Sequence, residues 1–460
     1  MSRPDPARRA AYDVLKAVRA DDAYANLALP GALARHGVAG RDAAFTTELA
    51  SGTIRWQGLY DAVLAACVDR PPREVQARVR DALRLGCHQL LGMRVPSHAA
   101  ISTTVDLVRS EVGPGAAGFA NAVLRKVAQR DRATWVLRVA PDPASDPVGF
   151  AVTAYSHPQW VVEALGQALA AAGDPEELEG LLAADNEPPR VTLVARPGRA
   201  ALEELPGDPT PYSPYGSVSP GGNPADVAAV AQGRAGVQDE GSQLVAHALA
   251  ATPLDGPDER WLDLCAGPGG KAALLAALAD RRGARIVANE RQQHRAELVR
   301  RTLAGAAGVE AVTVEDGTAP SWAAGSFDRV LVDAPCTGLG ALRRRPEARW
   351  RRRAEDLREL EPLQRALLDS AIDLVRPGGV VLYATCSPVL AETRDVVGAV
   401  LVGRDDVELG DATSLLTTAA GLRADVPECA GPLAGTVQLW PHRHRTDAMF
   451  MTLLRRAARS

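Results

Sequence analysis

The sequence is poor in cysteine, in aromatic residues and in long apolar runs. Six cysteines are scattered over 460 residues, and Phe, Trp and Tyr together make up 4% of the chain. So few thiols exclude the disulfide framework of a small secreted domain, and without a C-x-x-C pair a structural zinc site is not expected. No apolar stretch reaches the roughly 18 to 20 residues that a membrane-spanning helix needs. We therefore expect reduced thiols, no metal and no membrane partner.

The N-terminal sequence MSRPDPARRAAYDVL has no apolar core of the kind that a secretory signal carries, so we do not expect such a signal. We expect a cytoplasmic monomer. The length of the chain and its 46% hydrophobic content suffice for two or three domains.

Lysine is almost absent from the chain. It occurs at positions 16, 126 and 271, while the other 49 basic residues are arginine. In such a chain, a lysine inside a glycine-rich loop indicates that a compact ammonium group is needed there. Charge is also uneven, since residues 1–140 carry a net charge of +7 and the remainder −11. A basic N-terminal third suggests a polyanion partner, although a solvated helical surface has the same composition.

The N-terminal third has the pattern of helices joined by short turns. Apolar residues such as Val75, Val79 and Leu83 recur at helical spacing, and no strand pattern competes. The predicted helices cover residues 9–20, 42–68, 74–93, 99–111 and 117–130.

The middle of the chain mixes helical and extended patterns. Helices are predicted near 158–171 and 175–184, a strand at 190–195, and a Pro/Gly/Ser-rich loop at 206–224. The predicted division is a helical domain at 1–140, a linker at 141–150, a small α/β RNA-binding element at 151–235 and an α/β domain at 236–460.

From Arg260 onward, short apolar runs alternate with helical segments. The runs are WLDLCAG, RIVANE, AVTVEDG, DRVLVDAP and VVLYATCS. This alternation predicts a Rossmann-like parallel sheet covered by helices, with ligands at the carboxyl ends of the strands.

The first strand leads into the motif Asp263-Leu-Cys-Ala-Gly-Pro-Gly-Gly-Lys271. Its glycines allow a ligand to approach the backbone, and the helix that follows presents its positive N-terminal end. The motif also satisfies the loose Gly-x-Gly-x-x-Ala dinucleotide fingerprint, so a nicotinamide dehydrogenase is one alternative. Glu290 ends the second strand and Asp316 the third, where carboxylates can bind ribose hydroxyls or simply cap helices.

The fourth and fifth strands each end in a cysteine motif. Cys336 follows Val330-Leu-Val-Asp-Ala-Pro, and Cys386 follows Tyr383-Ala-Thr. Because neighbouring parallel strands end at one edge of a sheet, the two thiols should lie close together. A thiol pair could be a zinc site, but zinc needs three or four ligands and no further Cys or His stands at suitable spacing, so a redox pair and two buried structural cysteines remain the alternatives.

The combination of DLCAGPGGK, VDAPCTGLG and YATCSP resembles the RNA 5-cytosine methyltransferases of the Sun/Nop2/NSUN kind, over roughly residues 150–455. The N-terminal third resembles the antitermination factor NusB in RRAAYDVLKAV, RLGCHQLLGM, VPSHAAISTTVDLV and GFANAVLRKV. The pairing is similar to that of bacterial small-subunit ribosomal RNA methyltransferases. It implies an α/β methyltransferase domain behind an all-α NusB-like domain, with S-adenosylmethionine as cofactor and 16S ribosomal RNA, free or partly assembled, as substrate.

The resemblance also implies roles for individual residues. Cys386 is the nucleophile, Cys336 releases the product, and Asp333 activates the base. The residues implied in cofactor binding are Cys265, Ala266, Gly267, Pro268, Gly269, Gly270, Lys271, Glu290, Asp316 and Asp333.

Four positions depart from the family pattern. Gly267 stands where Ala is usual, Glu290 where Asp is frequent, and Ala448-Met449 where Gly-Phe is common. None of these changes removes a reacting group.

The segment 343–353 contains seven arginines and one tryptophan. Guanidinium groups bind phosphates and an indole stacks on bases, so RNA contact is predicted for this segment, with solvated surface as the alternative. The residues concerned are Arg343, Arg344, Arg345, Arg349 and Trp350. Two other functions stay open: a non-catalytic NusB-like RNA-binding protein, and a cytosine methyltransferase acting on another RNA.

Overall fold

The computed structural model describes residues 5–69, 71 and 74–458. Within these residues the chain divides into two compact units. The helical unit contains the residues up to 163 together with 182–188 and 342–352, and the sheet unit contains 164–181, 189–341 and the residues from 353 onward. The sequence-based boundaries place 342–352 in the α/β domain, whereas packing places this segment among the helices. Its buried Arg349 and half-buried Trp350, described below, are the physical reason.

The helical unit consists of short helices around an aliphatic core. In the first helix, Asp5 accepts a hydrogen bond from the Arg8 backbone N–H at 2.9 Å, and Pro6 occupies the first helical position. The α-helices of this unit are α1 Pro6–Ala20, α2 Ala25–His36, α3 Gly40–Arg55, α4 Gln57–Cys67, α5 Ala77–Leu91, α6 Ser97–Glu111, α7 Pro114–Val127, α8 Arg132–Val139, α9 Pro147–Ala154 and α16 Ala348–Arg351. Residues of both units occur in α10 Gln159–Ala172 and α11 Leu178–Ala184.

The helices predicted at 9–20, 74–93, 99–111 and 117–130 are confirmed. The helix predicted at 42–68 is interrupted at Trp56, whose ψ of 14° ends α3 before α4 begins.

Two helical segments lack a recognisable sequence pattern. Helix α2 contains Pro30 and buries Ala25 and Ala32, so it has no apolar stripe. The segment predicted as a linker at 141–150 contains the start of α9, where Asp146 accepts a hydrogen bond from the Gly149 N–H at 2.8 Å. Its Asp-Pro sequence is therefore a helix cap.

A small antiparallel sheet precedes the main one. Its strand order is β2-β3-β1-β4, and β1 confirms the strand predicted at 190–195. The strands are β1 Thr192–Ala195, β2 Asp208–Pro209, β3 Gly216–Val218 and β4 Ala235–Val237.

The main sheet has the order β10-β12-β9-β8-β5-β6-β7, and β11 pairs with β12. Strands β5 to β9 are parallel, as predicted, whereas β12 and β10 extend the sheet with antiparallel pairs. Antiparallel addition needs no crossover helix, so the alternating pattern does not reveal it. The strands are β5 Arg260–Asp263, β6 Arg285–Asn289, β7 Val309–Thr313, β8 Phe327–Asp333, β9 Val375–Thr385, β10 Val407–Leu409, β11 Val437–Gln438 and β12 Phe450–Arg456.

Helices cover both faces of this sheet, and each face has its own apolar cluster. The remaining helices are α12 Ala228–Ala231, α13 Glu240–Ala251, α14 Gly270–Asp280, α15 Gln293–Leu303, α17 Leu357–Leu374, α18 Arg394–Gly403 and α19 Pro441–His444. In the part of the chain that the structure describes, no helix is long and apolar enough to cross a membrane.

Candidate active site

Acidic and sulfur-containing side chains gather at the carboxyl ends of the parallel strands. Strand β5 ends at Asp263, β8 ends at Asp333, and Cys386 follows the last residue of β9. Glu290 follows β6 in the same way. Because parallel strands end at one edge of the sheet, these residues lie along a common edge.

The turn between β5 and α14 brings its backbone close to the neighbouring strand end. The Ala266 N–H donates to the Asn289 carbonyl at 2.7 Å, and the Gly269 N–H donates to the Ala266 carbonyl at 2.6 Å. Gly269 has a φ of +112°, a backbone conformation that residues other than glycine rarely adopt. The turn thus depends on glycine where it leads into the helix.

Gly267 and Glu290, which both depart from the family pattern, lie against each other. A Cβ atom at position 267 would lie 2.0 Å from the Glu290 Oε2 atom. The longer glutamate therefore occupies the space that an alanine methyl group would need. The two departures compensate in volume, so the turn and the acidic strand end can still approach each other.

Asp263, Lys271 and Asp333 form a cluster of ionisable side chains, in which Asp263 is fully buried and the other two are half-buried. The Lys271 Nζ atom donates to the Asp333 Oδ2 atom at 2.8 Å. Burial, with the charge of Asp333 added, raises the pKa of Asp263 to about 8. Burial opposes the charged form of Lys271, but the charges of Asp333 and Cys386 outweigh it and raise the pKa of this ammonium group. Lys271 is therefore the cation of the cluster.

Cys336 and Cys386 lie together, as their strand ends predict. Their Sγ atoms are 3.5 Å apart. The hydrogen bond with Cys386, followed by burial, raises the pKa of the Cys336 thiol well above its usual value. Among residues 5–69, 71 and 74–458, no group of three or more His, Cys, Asp or Glu side chains has an arrangement that could hold a metal. The zinc interpretation of this pair therefore has no ligand set in the described chain.

Cys265 lies in the turn that follows β5, away from the pair formed by Cys336 and Cys386 in the sequence. Burial raises its pKa well above the usual value, and the charges of Asp263 and Asp333 add to this effect. A thiol that stays protonated is a poor nucleophile.

The two remaining predicted acids lie in different surroundings. Glu290 is buried, and its Oε1 atom accepts a hydrogen bond from the Gln292 N–H at 3.0 Å. Asp316 is half-exposed, and its Oδ1 atom accepts from the backbone N–H and the hydroxyl of Thr318. These hydrogen bonds lower the pKa of Asp316. Both carboxylates occupy the edge where a nucleoside would need hydroxyl acceptors.

Comparison with known proteins assigns this arrangement to a family. The family model for 16S rRNA methyltransferase RsmB/F matches residues 251–455, and the model for the NusB family matches residues 5–129. Ribosomal RNA small subunit methyltransferase B of Pseudomonas syringae pv. tomato is 34% identical, over 86% of this chain and 86% of its own. The chain belongs to the RsmB/F family.

Similarity to other proteins extends over nearly the whole chain. The protein Rv1407 of Mycobacterium tuberculosis strain H37Rv is 53% identical, over 98% of this chain and 97% of its own. The crystal structure of PH0851 covers 99% of both chains with a TM-score of 0.77 and 25% identity. The RsmB/F relationship therefore includes the helical unit, and it leaves no support for the nicotinamide dehydrogenase alternative.

Membership of the RsmB/F family implies S-adenosylmethionine, and the sheet edge fits this molecule. Gln238 is 7% exposed, and in the described part of the chain neither of its amide atoms has a hydrogen-bond partner. A Cβ atom at Gly270 would lie 3.9 Å from this amide, which places Gln238 beside the N-terminus of α14. An unpaired amide, a helix N-terminus and several carboxylates suit a ligand with an amino acid group, a ribose and a positive charge.

The predicted RNA-binding segment has a different location from the one its composition suggests. Arg349 is fully buried in the helical unit, where it donates to the Ser156 carbonyl at 3.1 Å and to the Asn186 side chain at 2.8 Å. The Trp350 Nε1 atom donates to the Ile54 carbonyl at 2.7 Å. Burial lowers the pKa of Arg349 to about 9, so the guanidinium remains charged at neutral pH. A buried guanidinium has no surface for RNA, so the prediction of RNA contact is wrong for Arg349.

The other arginines of this segment differ in exposure. Arg343 is buried, and its carbonyl accepts a hydrogen bond from Arg55. Arg344 is half-buried and Arg345 is exposed, with its guanidinium 5.6 Å from the centre of the Tyr24 ring. RNA contact therefore stays a prediction for Arg344 and Arg345, whereas Arg343 and Trp350 face protein groups.

Sequence reasoning misses three polar residues that organise the edge. Asn289 donates to the carbonyls of Leu264 and Glu315 and accepts from the Glu315 N–H, so it joins three strand ends. Its position at the end of an apolar strand was a possible signal. Gln238 and Glu392 stand outside the recognised motifs, and only their buried neighbours reveal them.

Proposed function

We propose that the protein transfers a methyl group from S-adenosylmethionine to carbon 5 of a cytosine in 16S ribosomal RNA through a covalent adduct with Cys386. The observation that carries this proposal is the separation of 3.5 Å between Cys336 Sγ and Cys386 Sγ beside the Lys271–Asp333 pair. Two thiols at one place allow one to form a covalent bond and the other to help break it.

Carbon 5 of cytosine is a weak nucleophile, and this is why the reaction needs a thiolate. Addition of Cys386 Sγ to carbon 6 turns the ring into an enamine, whose carbon 5 can attack an electrophilic methyl group. S-adenosylmethionine supplies that methyl group when bound. When it is bound, the backbone of residues 265–271 would hold it, Glu290 and Asp316 would accept hydrogen bonds from its ribose, and Asp333 would serve both the cofactor and the base.

Lys271 is the group that stabilises the attacking thiolate. The negative charge of an ionised Cys386 contributes to the raised pKa of Lys271. By the same electrostatic attraction, the Lys271 ammonium group stabilises the Cys386 thiolate. A compact ammonium group beside the sulfur therefore favours the thiolate, which is the reactive form of cysteine. This requirement explains one of only three lysines in the chain.

Asp333 is proposed to stabilise the base after addition. Negative charge develops near nitrogen 3 of the ring, where a carboxyl group can share a proton. The side chain of Asp333 is 25% exposed, so a base can approach it although Lys271 occupies one oxygen.

Cys336 is proposed to complete the reaction. After methyl transfer, carbon 5 carries both a methyl group and a proton. Removal of that proton by Cys336 allows the electron pair of the carbon 5–hydrogen bond to form the ring double bond as the sulfur of Cys386 leaves carbon 6. Cys336 must give up its own proton to solvent before it can act as this base, and its raised pKa makes the resulting thiolate a strong one.

The target base has to leave its stack, because a thiol attacks carbon 6 from the face of the ring. An unpaired or weakly paired cytosine is therefore the expected substrate. The basic N-terminal third and the exposed arginines of 343–353 supply positive charge for the phosphates.

Bisulfite sequencing of 16S ribosomal RNA tests this function. RNA from a strain without the gene should lose the signal of one cytosine, and expression of the wild-type chain should restore it, whereas Cys386→Ala should not. An unchanged 16S pattern together with a lost signal in another RNA would move the activity to that substrate. If the bisulfite pattern changes neither in 16S ribosomal RNA nor in any other RNA, and the purified protein binds RNA without transferring labelled methyl groups, the chain is a non-catalytic RNA-binding protein.

A further inference from the structure

A buried carboxylate lies behind the two cysteines. Glu392 belongs to the 3-10 turn Leu390–Glu392 that follows β9, and its side chain is 0% exposed. Its Oε1 atom accepts from the Thr337 N–H at 2.7 Å and from Gln364 Nε2 at 3.2 Å. Its Oε2 atom accepts from the hydroxyls of Thr337 and Ser387, each at 2.5 Å.

The partners of Glu392 are the immediate neighbours of the reactive thiols. Thr337 follows Cys336, and Ser387 follows Cys386. One carboxylate therefore bonds to the residue after each cysteine. The two hydroxyls also lie 3.1 Å from each other, which closes the network between the loops.

Other hydrogen bonds support the same connection. The Gly340 N–H donates to the Cys386 carbonyl at 2.9 Å, and Gln364 also donates to the Pro335 carbonyl at 2.8 Å. The Tyr383 hydroxyl donates to the Glu392 carbonyl at 2.8 Å, which anchors the turn to β9. The chain after Cys336 and the chain after Cys386 are thus fixed to a common buried centre.

We propose that Glu392 is a positioning residue that holds Cys336 and Cys386 at their working separation. Hydrogen bonds to a charged acceptor are shorter and stronger than neutral ones. A reactive thiol must be held close to its attack geometry, because a displacement of about 1 Å can cost roughly 100-fold in rate. Without the carboxylate, the two loops would lose the acceptor that joins them.

A positioning role makes different demands from a role of charge alone. In Glu392→Gln, the amide oxygen can still accept from Thr337 and Gln364, and the amide nitrogen can donate to both hydroxyl oxygens, which are acceptors as well. The network therefore persists in Glu392→Gln although the charge is lost. In Glu392→Ala it is lost altogether.

The test measures covalent adduct formation with 16S RNA in the Cys336→Ala protein, and it rests on the proposed function. Adding Glu392→Ala should slow adduct formation about 100-fold, while the affinities for S-adenosylmethionine and RNA stay unchanged. Adding Glu392→Gln should restore most of the rate. If Cys336→Ala itself traps no RNA, the proposed function fails. If it traps RNA and Glu392→Ala leaves the rate unchanged, the positioning role is overturned.

Asp328 provides the matched control. It is also buried, and it accepts from the N–H groups of Glu259 and Arg260 and from Arg376, at the opposite end of β8. Asp328→Ala should lower thermal stability without slowing adduct formation. Equal slowing by Asp328→Ala and Glu392→Ala would reduce Glu392 to a contributor to stability.

Single hydroxyl deletions keep the test decisive if Glu392→Ala does not fold. Ser387→Ala should slow adduct formation, since Ser387 adjoins the nucleophile. Thr337→Val in the otherwise wild-type chain should instead prolong the adduct, since Thr337 adjoins Cys336. If both variants slowed adduct formation to the same extent, the two hydroxyls would not position the two cysteines separately, and this part of the proposal would be wrong.

Discussion

The protein buries ionisable side chains in many places, and two of these places differ in how the buried group is satisfied. At the sheet edge, burial and then the charge of Asp333 raise the pKa of the Asp263 carboxyl group to about 8. In the helical unit, Arg349 donates to a set of carbonyl and amide oxygens. A carboxyl group that burial and a like charge keep protonated is ready to exchange a proton or bind a ligand, whereas a guanidinium with several oxygen acceptors stabilises the packing of a segment. Burial of charge alone therefore does not distinguish a reactive site from a structural one.

The largest expected effect belongs to the reactive cysteines at the sheet edge. Cys386→Ala should neither methylate RNA nor trap it, because no bond to carbon 6 can form. Cys336→Ala should accumulate a protein–RNA adduct that survives denaturing electrophoresis, and the double variant should not. If Cys386→Ala trapped RNA and Cys336→Ala did not, the two roles would be reversed.

The next effect tests the structural side of the comparison. Arg349→Ala should lower the free energy of unfolding by about 1 to 3 kcal/mol, because it leaves buried oxygen atoms without their donor. Arg345→Ala, at an exposed position of the same segment, should change it by about 0.5 kcal/mol or less. Denaturant unfolding measures both. If Arg349→Ala had wild-type stability but bound RNA more weakly, Arg349 would be an RNA contact and not a structural residue.

Because Asp263 is buried, its ionisation should make the free energy of unfolding depend on pH. The unfolded carboxyl loses its proton near pH 4, whereas the folded one keeps it to about pH 8. Between these values the folded state binds more protons, so this group lowers stability as the pH rises and adds no further change above pH 8. The advantage of Asp263→Asn over wild type should therefore grow by up to about 1.4 kcal/mol per pH unit in this window. A constant difference from pH 4 to pH 8 would show that Asp263 ionises normally.

A smaller effect concerns the compensating pair Gly267 and Glu290. Gly267→Ala should displace the Glu290 carboxylate, because the new methyl group meets it, and lower the affinity for S-adenosylmethionine roughly tenfold. In the Glu290→Asp background the same substitution should have little effect, since the shorter side chain withdraws. Titration of the four proteins forms a double-mutant cycle, and additive changes would show that the two sites act independently.

The smallest effect is expected at the exposed part of the arginine segment. Replacing Arg344 and Arg345 together by Ala should weaken RNA binding modestly and reduce the salt dependence of the affinity by about 1.4 in the log–log slope, if each contacts one phosphate. The affinity for S-adenosylmethionine should not change. An unaltered slope would mean that these arginines are solvated surface.

The sequence by itself determined the alternating strands and helices of the sheet unit and the motifs at their ends. Short apolar runs are local features of the sequence, so the strands and their directions can be predicted from it. Parallel strands then place their carboxyl ends at one edge of the sheet. This is why Cys336 and Cys386 could be predicted to meet although 50 residues separate them. Helix caps such as Asp5 are local in the same way, whereas the cap at Asp146 was hidden in a segment with the composition of a linker.

Tertiary structure alone decided which charged residues are buried and what they bind. Arg345 and Arg349 belong to one arginine-rich segment, yet one is exposed and the other is buried against Ser156 and Asn186. The connection of both cysteine loops through Glu392 and the antiparallel pairing of β12 with β9 likewise join distant parts of the chain. Hydrogen-bond partners and burial arise when distant segments pack together, so the composition of a segment cannot supply them.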